Sequence, residues 1–273
     1  MTINIFSACG TGENSSQDAT TQRNLLLTVD NQWGGFSWQV AKGVSQTLFT
    51  PTQIVYPAKG FWLGNPIDYD NSVQLGVEAG ANLITNCSGS FVLVGYSQGA
   101  EVISRLLQQL QPGGPLTAHM PKLLAAVTFG NPMRQQGHTF PGDPTGCTGQ
   151  GINSQALLID TPELWWDMTN IFDLAGNIPT AAPGAIINQI WQAGGTLDMT
   201  SVAQMMEYIA QTLAQDTTNP ADRGPALFEA VTFLADAITN VNTTGHACFD
   251  TATVGDTGLT FVQTAINYLN SRA

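Results

Sequence analysis

The chain has little charge and very few basic residues. Only 10% of its 273 residues are charged, and eight lysines and arginines stand against twenty aspartates and glutamates, giving a formal net charge of −12. Nucleic-acid binding depends on clustered basic side chains, and anionic membrane surfaces repel an acidic protein, so we expect neither as a partner. A lipid-like ligand would have to be held by apolar contacts.

Long apolar runs are also lacking. No stretch approaches the roughly 20 consecutive apolar residues that a membrane-spanning helix needs, so no integral membrane segment is expected. The first positive side chain is Arg23, so the N-terminal residues lack the basic region of a secretory signal. We therefore expect synthesis without a cleaved signal peptide.

The four cysteines do not have the C-x-x-C spacing that is typical of zinc sites. They are Cys9, Cys87, Cys147 and Cys248. Gly10-x-Gly12 is not completed to the G-x-G-x-x-G pattern of a dinucleotide site, so we predict neither a metal nor a cofactor. Free thiols are expected in a reducing compartment, although Cys147 and Cys248 both lie in Gly/Thr-rich loops and could form a bridge.

Apolar runs alternate with helix-like stretches along the chain. Strand-like runs occupy 3–8, 52–57, 90–96 and 123–130, with a less regular one within 156–170. Helix-like stretches occupy 18–29, 70–86, 98–111 and 258–271. The strand-like runs are apolar throughout, which indicates burial on both faces, so the alternation predicts an α/β fold with a central, mostly parallel sheet.

The pattern changes in the last third of the chain, where helical segments follow one another with no strand between them. This change predicts a helical insertion over 179–240 within a core formed by 1–178 and 241–273.

A candidate nucleophile lies where the third strand-like run meets a helix. Gly95-x-Ser97-x-Gly99 has the strand–turn–helix context of a nucleophile elbow, in which small neighbours permit a strained turn. A chance G-x-S-x-G in a flexible loop would lack both the buried strand and the amphipathic helix. We therefore interpret Ser97 as a nucleophile.

A serine hydroxyl needs a base that is itself oriented by an acid. His119 and His138 come too early in the chain for the base, whereas His246 lies in a loop shortly before the last helix. The acid is less well determined by position. The candidates near the fifth strand-like run are Asp160, Asp167 and Asp173.

The loop after the first strand-like run, "CGTGEN", suits one half of an oxyanion hole. Glycines on either side of Thr11 let its backbone amide approach a substrate carbonyl. The amide of Gln98, directly after the candidate nucleophile, would supply the other half.

Three motifs carry a resemblance to a known family. "ACGTGEN", "GYSQGAEV" and "FGNPMRQQG" resemble the lysin B enzymes of phages that infect mycobacteria, and "GYSQGA" is shared with the wider cutinase-like serine esterases. The resemblance covers roughly 1–175 and 240–273. It implies an α/β-hydrolase (cutinase-like) fold with a helical insertion between the catalytic acid and the histidine.

The resemblance also implies a function. Lysin B enzymes hydrolyse the ester that joins mycolic acids to arabinogalactan late in host lysis, without a cofactor. Matched motif by motif, the resemblance places the nucleophile on Ser97, the acid on Asp173 and the base on His246. It further implies a monomer that is made in the host cytoplasm and acts on the host cell envelope once lysis begins.

Two other functions remain open. One is a general cutinase-like carboxylesterase or lipase, and the other is a hydrolase-fold binding protein that has lost its activity. Apolar side chains of the insertion can line a groove for acyl chains, although packing of the insertion's own core is the commoner use of such residues. They are Ile186, Ile187, Ile190, Trp191, Met205, Met206, Phe228 and Phe233.

Overall fold

A five-stranded parallel sheet forms the centre of the protein. The computed structural model describes residues 2–13, 35–59, 67–180, 184–189 and 244–273. The strands lie in the order β2-β1-β3-β4-β5, and every pair of neighbours is parallel. Their bounds are Ile3–Ala8 (β1), Phe49–Gln53 (β2), Phe91–Tyr96 (β3), Leu123–Phe129 (β4) and Trp165–Met168 (β5). The predicted α/β fold with a parallel sheet is confirmed.

Helices cover both faces of this sheet. The described helices of eight or more residues are Phe36–Gly43 (α1), Tyr69–Asn86 (α2), Gln98–Leu110 (α3) and Phe261–Asn270 (α4). One apolar core lies beneath α2 and α3, and a second lies beneath α1 and α4. Two short 3₁₀ turns, Thr117–Lys122 and Gly255–Thr257, precede β4 and α4.

The central strand β3 shows why its sequence is apolar throughout. All six of its residues are buried. Phe91 and Leu93 belong to the core under α2 and α3, while Val92 and Val94 belong to the core on the opposite face. Since successive side chains of a strand point to opposite faces, a strand covered on both sides needs apolar residues at every position.

Two local predictions differ from the structure. The second strand is Phe49–Gln53 rather than 52–57. It is an edge strand that pairs only with β1, which is why it tolerates Pro51. Ile54 and Tyr56, beyond its end, are buried without being part of the strand. Helix α1 was not predicted, since a two-turn segment is too short to show a clear helical period.

Several predictions about the chain's second half fall largely outside the described residues. Of the predicted insertion, only 179–180 and 184–189 are described, and the latter are helical. Ile186 and Ile187 are buried there. The predicted helix over 18–29 and the other six apolar residues named for the insertion also lie outside the described residues.

The strand order creates a crevice at the carboxyl ends of β1 and β3. From β1 the chain moves to β2 on one side, and from β3 it moves to β4 on the other, so the loops after β1 and β3 diverge. In open parallel sheets such a point, at the carboxyl ends of the strands, is where ligands bind. Within the described part of the chain, no helix is long and apolar enough to span a membrane.

Candidate active site

Ser97 lies at the sharp turn between β3 and α3. Its backbone has φ 53° and ψ −119°, a conformation that non-glycine residues rarely adopt. The Ser97 amide donates to the carbonyl oxygen of Phe129 at 2.8 Å, which ties the turn to the end of β4. A Cβ atom at Gly99 would collide with the carbonyl oxygen of Ala8, so only glycine lets the turn approach β1 this closely.

Three side chains that are far apart in sequence form one hydrogen-bonded line. His246 Nε2 lies 2.8 Å from Ser97 Oγ, and His246 Nδ1 lies 2.7 Å from Asp173 Oδ1. Asp173 is completely buried, whereas His246 is partly exposed. With its Nδ1 proton donated to Asp173, the ring presents an unprotonated Nε2 to the serine hydroxyl, which is the tautomer that a general base requires.

The carboxylate of Asp173 is held by its own loop. Oδ1 accepts from the amides of Ala175 at 3.0 Å and Gly176 at 3.1 Å, and Oδ2 accepts from the hydroxyl of Thr169 at 3.2 Å. These donors leave the carboxylate one orientation. Asp173 is therefore built into the fold as a fixed partner of His246.

The histidine loop is attached to the acid loop and to β3. Phe172 N donates to Thr244 O at 3.2 Å, and Asn170 Nδ2 donates to Gly245 O at 3.2 Å. The hydroxyl of Tyr96 donates to the carbonyl oxygen of His246 at 3.0 Å, and its ring lies 5.0 Å from the imidazole. Burial, then the charges of Glu13 and Asp173, raise the pKa of Tyr96, so its phenol remains a donor.

The other two candidates for the acid lie elsewhere. Asp160 is exposed on a surface turn with φ 52°. Asp167, at the end of β5, binds a different histidine, since its Oδ2 lies 2.7 Å from His138 Nδ1. Neither of these carboxylates contacts His246 in the described part of the chain. Of the three candidates, Asp173 is therefore the one that is placed to orient this histidine.

Asp167 is nevertheless strongly held. Its Oδ1 accepts from the hydroxyl of Thr128, from Asn131 Nδ2 at 2.9 Å and from Trp165 Nε1 at 3.3 Å. Burial by itself would raise the pKa of Asp167, but the hydrogen bonds and the nearby His138 outweigh it and the pKa falls below its ordinary value. This second histidine–carboxylate pair fastens β5 to the loop after β4, a structural use that chain order did not reveal.

Arg134, in the "GNPMRQQG" segment, joins the connection between β4 and β5 to the loop that holds Asp173. Its guanidinium is fully buried and donates to five oxygen atoms. The acceptors are the carbonyls of His138, Cys147, Gly149 and Gly176 and the side-chain oxygen of Asn177. Because Gly176 also donates its amide to Asp173, the arginine supports the peptide that orients the acid.

The side chain of Gln98 is locked into a closed ring of hydrogen bonds. Gln98 Nε2 donates to Lys59 O at 2.8 Å, Lys59 N donates to Ser72 Oγ at 3.0 Å, and Ser72 Oγ donates to Gln98 Oε1 at 3.1 Å. Gln98 is the first residue of α3, where backbone amides have no partner within the helix. The ring fixes this end of the helix, where the helix dipole favours negative charge.

Thr11 lies in a tight turn after β1. Glu13 N donates to Gly10 O at 3.2 Å, and Gly12, with φ 78°, occupies the turn position that favours glycine. The amide of Gly12 donates to Ala58 O at 3.0 Å. Thr11 and Gln98 therefore come from the two loops that flank the crevice.

Comparisons with known proteins agree with this architecture. The PE-PPE domain family model matches residues 43–145, which include the Ser97 turn but neither Asp173 nor His246. In solved structures, lysin B from Mycobacteriophage D29 matches with a TM-score of 0.56 and 21% sequence identity over 98% of each chain. The predicted resemblance to lysin B is confirmed in the fold.

A curated relative matches over a shorter range. The acetylxylan esterase of Hypocrea jecorina is 31% identical over 177 residues, which make up 54% of this chain. The chain spans 58% of that relative's length. The match to lysin B and the match to the acetylxylan esterase are both consistent with an α/β-hydrolase core.

Some residues around the site were missed by the sequence analysis. Tyr96, Arg134 and Thr169 act through hydrogen bonds to loops that are distant in sequence, so no local pattern indicates them. Glu13 was considered only as a member of the "CGTGEN" motif. The sequence signal for its contact with Gly10 is its position directly after Gly12, where a side chain can close the turn.

Proposed function

We propose that this protein is a serine esterase. The observation that carries the proposal is the line from Ser97 through His246 to Asp173, with donor–acceptor distances of 2.8 and 2.7 Å. Serine hydrolases on unrelated folds share this arrangement, in which the acid fixes the tautomer of the base and the base activates the hydroxyl.

The reaction we propose has two acyl-transfer steps. His246 Nε2 takes the Ser97 proton as Oγ attacks the ester carbonyl, and the amides of Thr11 and Gln98 donate to the resulting oxyanion. The C–O bond to the alcohol breaks when His246 returns the proton to the leaving oxygen. Water, deprotonated by His246, then attacks the acyl-enzyme and releases the acid and Ser97.

Substitution of the nucleophile tests this function. Ser97→Ala should abolish hydrolysis of a p-nitrophenyl ester and labelling by a fluorophosphonate probe while the circular dichroism spectrum stays unchanged. Ser88→Ala is a matched control, because Ser88 is exposed at the turn before β3. Activity in Ser97→Ala would refute the assignment, and a wild-type protein that neither hydrolyses esters nor reacts with the probe would favour a binding protein.

The substrate we propose is the ester between mycolic acid and arabinogalactan in the mycobacterial cell envelope. The proposal is supported by the lysin B motifs in the sequence and by the fold match along 98% of both chains. We further propose that the protein is made in the host cytoplasm and reaches this substrate when phage-induced lysis begins. Digestion of purified mycolyl-arabinogalactan should release free mycolic acids, detected by mass spectrometry.

A second candidate is a carboxylesterase that removes small acyl groups from other esters. The 31% identity to an acetylxylan esterase favours this alternative. Short p-nitrophenyl esters do not separate the two candidates, because a serine esterase of either type hydrolyses them. Release of acetate from acetylated xylan, without release of mycolic acids from the cell-wall substrate, would decide for the second candidate.

A further inference from the structure

The turn that carries Thr11 is closed by the side chain of Glu13. Glu13 Oε2 accepts a hydrogen bond from Gly10 N at 2.6 Å, while the Glu13 amide donates to Gly10 O at 3.2 Å. The first and last residues of the turn are thus joined twice. A four-residue turn with both bonds has far less freedom than one held by the backbone bond alone.

Three of the four backbone amides in the turn, which spans residues 10–13, have acceptors. The amides of Gly10, Gly12 and Glu13 each have an acceptor, and the acceptor of Gly12 is Ala58 O. The amide of Thr11 has no acceptor among the described residues. The closed turn therefore presents the one amide that a developing oxyanion requires.

The carboxyl group of Glu13 is itself tightly placed. A Cβ atom at Gly35, just before α1, would collide with both carboxyl oxygens of Glu13. A Cβ atom at Gly10 would lie 2.6 Å from the ring of Tyr96 and 3.3 Å from Glu13 Oε2. The carboxyl group thus fills a narrow space between the β1 loop, the start of α1 and the Tyr96 ring beside His246.

We propose that Glu13 is a positioning residue that holds the Thr11 amide in the oxyanion hole through its hydrogen bond to Gly10 N. This inference rests on the proposed esterase function and assigns a role to a residue outside the triad. The acceptor oxygen is what the turn needs, so an uncharged side chain of the same length and with the same oxygen should serve in its place.

The charge of Glu13 is disfavoured in this narrow space. Burial, as the largest effect, raises the pKa of Glu13 from 4.5 to about 7, against the opposing effects of the Gly10 amide and His246. What the turn requires from Glu13 is therefore the acceptor oxygen rather than the charge.

Four variants separate the acceptor from the charge. Glu13→Ala should lower kcat by about 10- to 100-fold with KM nearly unchanged, since loss of a whole oxyanion donor is worth roughly 10²–10³-fold. Glu13→Gln should restore most of that kcat. Glu13→Asp keeps the charge but is too short to reach Gly10 N, so its kcat should resemble that of Glu13→Ala. Glu78→Gln, on the exposed face of α2, is the control.

The split between kcat and KM, together with the rescue by Glu13→Gln, is a readout that a merely structural role would not move. A displaced oxyanion donor lowers kcat and leaves KM nearly unchanged. Urea unfolding of every variant shows whether the measured protein is folded. If Glu13→Ala does not fold, the comparison of Glu13→Gln with Glu13→Asp tests the same point.

The outcomes distinguish this proposal from the esterase proposal. Wild-type kcat in Glu13→Ala, with Ser97→Ala inactive, would overturn the role of Glu13 and leave the esterase assignment intact. Equally low kcat in Glu13→Gln and Glu13→Ala would also overturn it, because the acceptor oxygen would then be without effect. Activity in Ser97→Ala would refute the esterase function itself.

Discussion

Gly130 lies directly against the ring of His246. A Cβ atom built on Gly130 would stand 2.5 Å from Cε1 and 2.6 Å from Nδ1 of the imidazole, and 3.1 Å from Asp173 Oδ2. Gly130 also has φ 55°, in the left-handed region that disfavours side chains. The glycine that begins the "GNPMRQQG" loop is thus the wall against which the histidine and its acid are placed.

Gly130→Ala should therefore displace His246. We expect kcat to fall by about 10²-fold, since a shift of about 1 Å in a reacting group has effects of this size. Gly113→Ala is the matched control, because Gly113 has φ 90° but open space around it. It should lose about 1 kcal/mol of stability and keep its kcat. Equal kcat values in the two variants would contradict the steric argument.

Asp173→Asn should disable the base. The asparagine amide would donate to His246 Nδ1, so the imidazole proton would lie on Nε2. A protonated Nε2 cannot accept the proton of the serine hydroxyl, and kcat should fall roughly 10³–10⁴-fold. Asp167→Asn should instead lower the unfolding free energy by about 2 kcal/mol and keep kcat within roughly tenfold, because it disrupts a buried hydrogen-bond network. Steady-state kinetics and urea unfolding on both variants would show reversed effects if the acid were Asp167.

Arg134→Lys should destabilise the protein. A lysine has three donors and cannot reach five acceptors spread over two loops, so buried carbonyls lose their partners. We expect a loss on the order of 3 kcal/mol in the unfolding free energy, measured in urea. Arg272→Lys, on the exposed C-terminal turn, should change it by less than about 0.5 kcal/mol. Similar unfolding midpoints for both would mean that the Arg134 contacts contribute little.

Glu13 makes stability depend on pH in a defined window. Burial raises its pKa from 4.5 to about 7, although the Gly10 amide and His246 oppose this. Between these values the native state binds more protons than the unfolded state, so this contribution to stability grows as the pH falls from about 7 to 4.5. Urea unfolding across this window should show the gain in the wild type and a smaller one in Glu13→Gln. Parallel curves for both proteins would rule out Glu13 as its source.

All four cysteines should be unreactive in the native protein. Each is a buried, free thiol. Burial, as the largest effect, raises the pKa of Cys147 and Cys248 to about 11, so the reactive thiolate is scarce near neutral pH. Iodoacetamide should label the thiols only after unfolding, and mass spectrometry should then count all four. Two unlabelled cysteines in the unfolded, unreduced protein would instead indicate the Cys147–Cys248 bridge that the sequence left open.

The fold was predictable to the extent that its signals are local. The strand β3, the turn at Ser97 and the helix α3 follow one another directly, so each reinforces the interpretation of the next. The edge strand β2 was misplaced, because burial of Ile54 and Tyr56 comes from helix packing rather than from strand pairing. An apolar run shows that residues are buried, and it does not show which neighbour buries them.

The sequence by itself predicted the turn at Ser97, the order of the three candidate residues and the choice of His246, since all three depend on motifs and on position along the chain. Position left Asp160, Asp167 and Asp173 open as the acid, and the resemblance to lysin B favoured Asp173. Only the tertiary structure showed that Asp173 is the one of these three carboxylates that contacts His246. That choice depends on which loop faces the histidine, and the loops meet through long-range hydrogen bonds such as those from Asn170 and Phe172. The same reason hid Arg134 and Glu13, whose partners become neighbours only when the sheet brings the ends of its strands together.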